Sequence, residues 1–171
     1  MAFDLKRAKA QSQFPEINRP SRNLFIAKSS YQVEEFFKRY PIDKYPVMWT
    51  DIESDGKCIP VCIGVAFTKS HGMTIPLWNH DGISDMHDSE IARCWMIVAE
   101  ELWKREIGGQ NFNYDRDKLK RIGFAIRLLR HDNMMLAQAI NPELPKGQAF
   151  NTSLFTEEPF YKDDGMYKGK I

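Results

Sequence analysis

The sequence predicts an α/β protein, a mixed sheet of about five strands with helices on both faces. Three β-rich apolar segments, 47–53, 59–67 and 73–78, follow one another across short polar turns, as in an antiparallel meander. From residue 85 onward helical and extended patterns alternate, the arrangement that joins parallel strands. A length of 171 residues with 43% hydrophobic content suits one domain with a sizeable core.

Residues 1–22, with scattered Lys and Arg, Pro15 and Pro20, read as an arm, and 23–171 as the domain. Ser29-x-x-Gln32 matches a capping box, and Val33, Phe36, Phe37 and Tyr40 then recur at helical spacing, so a short helix ends before Pro41. Val47 to Glu53 reads as a buried strand, Ile59 to Phe67 as a second and Met73 to Trp78 as a third. Asp55-Gly56-Lys57 and Lys69-Ser70-His71-Gly72 are the expected turns between them. A long helix starts within Asp85 to Asp88 and carries the stripe Ile91, Trp95, Val98 and Leu102. Glu106 to Asn111 is a fourth strand, broken at Gly108-Gly109. Asp115 to Ile122 is a helix closed by Gly123 at C′. Phe124 to Leu129 suits a fifth strand. Asp132 to Ile140 suits a helix stopped by Asn141-Pro142, with Asp132 its N-cap and a support beneath any site nearby. Residues 143–171 read as irregular, and no internal repeat is visible.

Bulk properties exclude several classes. A net charge of +1 provides no global field for a polyanion, so nucleic-acid contact must be local. Lys118-Leu119-Lys120-Arg121 reads as a solvated helix face, with phosphate contact the alternative. Three cysteines, Cys58, Cys62 and Cys94, form no disulfide framework and read as free thiols of a reducing compartment. No run of about 18 apolar residues could span a membrane, and the polar, basic start is unlike a signal peptide, so the expected location is cytoplasmic. His71 and His80 fall in expected turns and His87 and His131 beside helix starts, none at metal-ligand spacing. Met134, Met135, Phe25, Phe36 and Phe37 read as core packing.

The chemistry concentrates in two segments. Asp51-Ile52-Glu53 ends the apolar run Pro46-Val47-Met48-Trp49. Residues i and i+2 of a strand share a face, so these two carboxylates stand side by side and repel unless a positive charge intervenes. Divalent metal supplies such charge to oxygen ligands. Gly109-Gln110-Asn111-Phe112-Asn113-Tyr114-Asp115 brings a third carboxylate at a strand-to-helix junction, most of a two-metal site for phosphodiester hydrolysis.

Taken together, Asp51-x-Glu53 and Gly109-Gln110-Asn111-x-x-Tyr114-Asp115 resemble the first two motifs of the proofreading 3′–5′ exonuclease domain of family-A DNA polymerases. The segments His131-Asp132-x-Met134-Met135-Leu136, Pro142-Glu143-Leu144-Pro145-Lys146 and Glu158-Pro159-Phe160-Tyr161-Lys162-Asp163-Asp164-Gly165 resemble the phage-type branch of that family. The resemblance implies a ribonuclease-H-like fold and two divalent cations, Mg²⁺ or Mn²⁺. It implies that Asp51 bridges both ions, Glu53 binds the more tightly held one and Asp115 orients the second. It further implies that Ser54, Asn111 and Tyr114 contact the terminal nucleotide of a single-stranded DNA 3′ end. A polymerase domain, in the same or a companion chain of a bacterial or phage-infected cell, is the implied partner.

The family's third motif, Tyr-x-x-x-Asp on a helix, supplies an oriented tyrosine and a fourth carboxylate, and it has no match before Ile171. The domain is therefore expected to be incomplete at its C-terminus. Phe160-x-x-x-Asp164 has the spacing, but its surroundings match an upstream loop, and Asp164 is not read as a ligand. The rival readings are a non-catalytic nucleic-acid-binding or split-polymerase subunit completed by another chain, and a free-standing ribonuclease-D-like trimming enzyme. The phage-type tail speaks against the latter.

Overall fold

The computed structural model describes residues 9, 12–13, 20–55, 57, 59–78, 86–156 and 158. The chain divides into two units, Arg22–Pro142, and Met1–Ser21 with Glu143–Ile171. In the first unit the order of elements is β1 (Asn23–Ile26), α1 (Ser30–Arg39), β2 (Val47–Ser54), β3 (Pro60–Ala66), β4 (His71–Pro76), α2 (Asp88–Lys104), β5 (Glu106–Gly109), α3 (Phe112–Arg121), β6 (Leu128–Asp132) and α4 (Asn133–Ile140). The second unit contains α5 (Gln148–Phe155), in the stretch expected to be irregular.

A six-stranded mixed sheet in the order β1-β4-β3-β2-β5-β6 organises the first unit. The pairs β2/β3 and β3/β4 are antiparallel, as the meander predicts, and β1/β4, β2/β5 and β5/β6 are parallel. The strand beyond the expected five is β1. Its four residues alternate too weakly to signal a strand, and it forms because edge pairing to β4 satisfies its backbone. β6 begins four residues later than the pattern 124–129 suggests. An edge strand tolerates the polar Arg130-His131-Asp132, while the apolar Phe124 is instead a buried plug against Trp95, their rings 5.0 Å apart. His71 opens β4 instead of lying in a turn. Its ring packs among Phe25, Phe36 and Tyr40, with Nδ1 2.5 Å from the Tyr40 hydroxyl, and burial, then Arg39, lowers its pKa.

Local chemistry explains the helix ends. Ser29 caps α1 by accepting from Gln32 N–H, and the Gln32 side chain accepts from Lys28 N–H at 2.8 Å, a capping box displaced by one residue. His87 caps α2, and Gly123, at φ +94°, provides the left-handed turn after α3. Ile91, Cys94, Val98 and Leu102 bury one stripe of α2, with Met48, Ile63, Ile75 and Ile107 of the sheet in the same core. Phe25, Phe36 and Phe37 belong to that core or pack against it, whereas Met135 is largely exposed, contrary to the packing role expected of it. Cys62 and Cys94 are free, and burial raises both thiols, Cys94 to about 11. His80 and Cys58 lie outside the described residues, as do Asp85 and 159–171 with the segment around Asp164.

Candidate active site

β2 sits inside the sheet, between β3 and β5, and is half-buried instead of buried throughout. Met48, Thr50 and Ile52 face the core; Trp49, Asp51 and Glu53 alternate onto an exposed face. The carboxylates thus share a face, as their spacing predicts. A register shift against β3 falls between Glu53 and Ser54 and interrupts that alternation at the strand end.

Parallel pairing of β5 beside β2 brings the second segment to the same place. Gly108 and Gly109 belong to β5 and do not break it. A Cβ on Gly108 would meet the Trp49 ring at 2.7 Å. One on Gly109 would meet Phe112 at 2.7 Å and the Thr50 carbonyl oxygen at 2.9 Å. These glycines allow Trp49 to lie across the sheet and α3 to start immediately after the strand. Asn111 makes the corner at φ 54°, in the left-handed region that asparagine tolerates, and its side chain makes no cap hydrogen bond.

Helix α3 begins at Phe112, three residues earlier than the pattern predicts, and Asp132 explains why. Its Oδ1 accepts from Asn111 N–H at 3.0 Å, its Oδ2 from Phe112 N–H at 3.1 Å. Oδ1 also accepts from Met134 N–H at 2.9 Å and Met135 N–H at 3.4 Å. One carboxylate therefore caps its own helix and anchors the first turn of α3. The expected N-cap role holds, and the support beneath the site is these two additional bonds.

On the first turn of α3, Asp115 is 7% exposed and hydrogen-bonds to Asp51. Burial pushes the Asp115 carboxyl up to about 7. The Asp51 charge adds to this, Lys118 opposes it, and the hydrogen bond to Asp51 and the Glu53 charge raise it further. Asp51 is also raised, mainly by burial, while hydrogen bonds from the Ile52 backbone and from Asp115 hold it down. A protonated Asp115 donating to an ionised Asp51 explains why this hydrogen bond raises Asp115 and lowers Asp51, while burial raises both.

Lys118, one turn further on, departs from the solvated face expected of Lys118-Leu119-Lys120-Arg121, whose Lys120 and Arg121 are exposed. It is 8% exposed and not on a solvated face; its Nζ donates to Ser54 Oγ at 2.8 Å and lies 4.0 Å from the centre of the Tyr114 ring. The signal available in the sequence is its i+3 relation to Asp115, which puts both on one face of the helix. Tyr114 is 57% exposed, so most of its surface remains free for a ligand.

Asp51, Glu53, Ser54, Asp115 and Tyr114 are thus gathered where β2 meets α3, with Asn111 at the corner. Their oxygen donors suit a hard divalent cation, whose charge would offset the burial and then the Asp51 charge that raise Asp115. The touching pair is Asp51 and Asp115. Among the described residues, no three His, Cys, Asp or Glu side chains stand close enough to hold a metal ion jointly.

No family model and no curated protein matches the sequence. Solved structures do resemble it. The catalytic core of RRP6 from Trypanosoma brucei has a TM-score of 0.55 at 12% identity, covering 88% of this chain and 42% of that one. The EXD2 exonuclease domain soaked in Mn and GMP has a TM-score of 0.51 at 12% identity, covering 86% of this chain and 77% of that one. The same domain soaked in Mg and GMP has a TM-score of 0.50 at 13% identity, covering 80% and 71%. At such identities the likeness shows the fold, a ribonuclease-H-like mixed α/β sheet shared with exonuclease domains. Among the described residues, no helix is long and apolar enough to cross a membrane.

Proposed function

We propose that this chain is a divalent-cation-dependent 3′–5′ exonuclease module that removes terminal nucleotides from single-stranded DNA. One observation carries the proposal: on an exonuclease-type fold, the buried Asp115 carboxyl meets Asp51 on the strand face that Glu53 shares. Asp51, Glu53 and Asp115 would hold Mg²⁺ or Mn²⁺, two ions by the family resemblance. When bound, such ions polarise a phosphate, lower the pKa of water and stabilise a departing 3′ oxygen. Asn111, with no cap bond to keep its side chain, can hydrogen-bond the terminal nucleotide. Tyr114 offers an exposed ring for stacking against a frayed base. Asp132 keeps this corner in place.

The proofreading context, with a polymerase domain in the same or another chain, rests on the paired motifs and the phage-type tail. A second reading, a nucleic-acid-binding subunit whose site is completed by another chain, is favoured by one fact: no three candidate ligands already converge among the described residues. Mn²⁺-dependent digestion of a 3′-labelled single-stranded DNA separates the two. Stepwise shortening that Asp51→Ala, Glu53→Ala abolishes supports the nuclease. Binding of the same DNA by the folded protein without shortening supports the second reading.

A further inference from the structure

The exonuclease reading leaves one edge of the sheet unused. β1 is the terminal strand on the side away from β6. Alternate residues make its inward hydrogen bonds: Asn23 N–H donates to the Ser70 carbonyl at 2.7 Å and Ala27 N–H to the Thr74 carbonyl at 2.9 Å. In a parallel ladder of that phase the intervening residues turn the other way, so Leu24 and Ile26 direct their N–H and C=O out of the sheet. Their side chains are exposed as well, at 63% and 58%. An open edge carrying apolar side chains is a template for a further strand.

A recess beside the same strand adds side-chain recognition. Between β1 and α1 lies a cavity of about 300 Å³, lined by the rings of Phe25, Phe36, His71 and the exposed Tyr31, with Arg39 beside them. Every second side chain of an added strand would face this side of the sheet, and the cavity has room for an aromatic one. The surrounding charge is positive. Glu35 is held by Lys38 at 2.8 Å, whereas Arg39 and Lys28, both exposed, make no ion pair among the described residues. The chain's own arm complements this edge poorly, because residues 1–22 carry five Lys or Arg against two Asp or Glu. A second copy of β1 would bring the same cations with it. We infer that β1 is a docking edge for an extended acidic segment of another protein. That segment adds as a strand along Leu24 and Ile26, sets an aromatic side chain in the cavity and pairs a carboxylate with Arg39. The inference is independent of the nuclease reading.

Selection of random peptides displayed on phage against the full chain tests it. Enriched peptides should carry an aromatic residue and Asp or Glu within an alternating apolar frame. An enriched peptide, synthesised with a fluorescent label, is then titrated by anisotropy. Ile26→Pro deletes one outward N–H and no bond of the sheet, and should weaken binding about tenfold. Arg39→Glu should weaken it by about as much. Leu24→Pro is the second edge variant, and circular dichroism establishes which variants fold. Enrichment of no common pattern overturns the inference, as does a peptide that binds wild type and the folded variants equally. A wild-type dimer in light scattering that Ile26→Pro dissolves also overturns it, because a second copy then occupies the edge.

Discussion

Two buried cations in the described residues do opposite things. Arg105, 3% exposed, is fully partnered: an ion pair to Glu101, hydrogen bonds to the carbonyl oxygens of Tyr45 at 2.5 Å and Tyr40 at 2.8 Å, and the Phe67 ring 4.6 Å away. It fastens the end of α2 to the segment entering β2. Lys118, 8% exposed, has one hydroxyl and one ring, and its charge acts on the buried Asp115 carboxyl. Burial alone therefore does not separate scaffold from site. What separates them is whether the partners exhaust the charge.

Breaking the scaffold side of this contrast should have the largest effect. Arg105→Met leaves Glu101 and two carbonyls without their donor, and should cost about 3–5 kcal/mol in denaturant unfolding. A loss below about 1 kcal/mol would dissolve the distinction.

The site side predicts the opposite sign. Asp115 holds its proton to about pH 7 in the folded chain and releases it near its ordinary value when unfolded. The unfolded state thus ionises first, and wild-type stability should fall as pH rises from about 4 to about 7, by about 3–4 kcal/mol in total. Asp115→Asn should remove that slope, raise stability above pH 7 and abolish Mn²⁺ binding. Urea titrations across this pH range check it. A wild-type stability that rises through that window would contradict the assignment.

Asp132→Ala sharpens the comparison by loosening the platform that carries both Asp115 and Lys118. Four backbone N–H groups lose their acceptor, for about 1–3 kcal/mol. Faster amide exchange at Asn111 and Phe112 should accompany the loss. The smallest stability change belongs to Lys118→Met, within about 1 kcal/mol of wild type, because the ammonium surrenders only two modest contacts. Thermal unfolding of the two buried-cation variants side by side reads the contrast directly.

Much of this was legible in the sequence where a local rule applies. The i, i+2 spacing of Asp51 and Glu53 put them on one face, Asp132 read as a cap, and Gly123 marked the end of α3. The failures are long-range. β1 exists only because β4 offers an edge, and α3 starts early only because Asp132 arrives from β6. Gly108 and Gly109 read as a break because their small size serves Trp49 and Phe112, neighbours the local pattern does not reveal. Lys118 sits in a basic run whose composition suggests solvent, and only the approach of Ser54 turns it inward.

The central claim is that Asp51 and Asp115 form a carboxyl pair awaiting a divalent cation. Carbon-13 NMR titration of the Asp115 carboxyl, without Mg²⁺ and then with saturating Mg²⁺, tests it most directly. The account predicts a midpoint near 7 without the ion and a fall of several units with it. An Asp115 that titrates in the ordinary carboxylate range and ignores Mg²⁺ would contradict it.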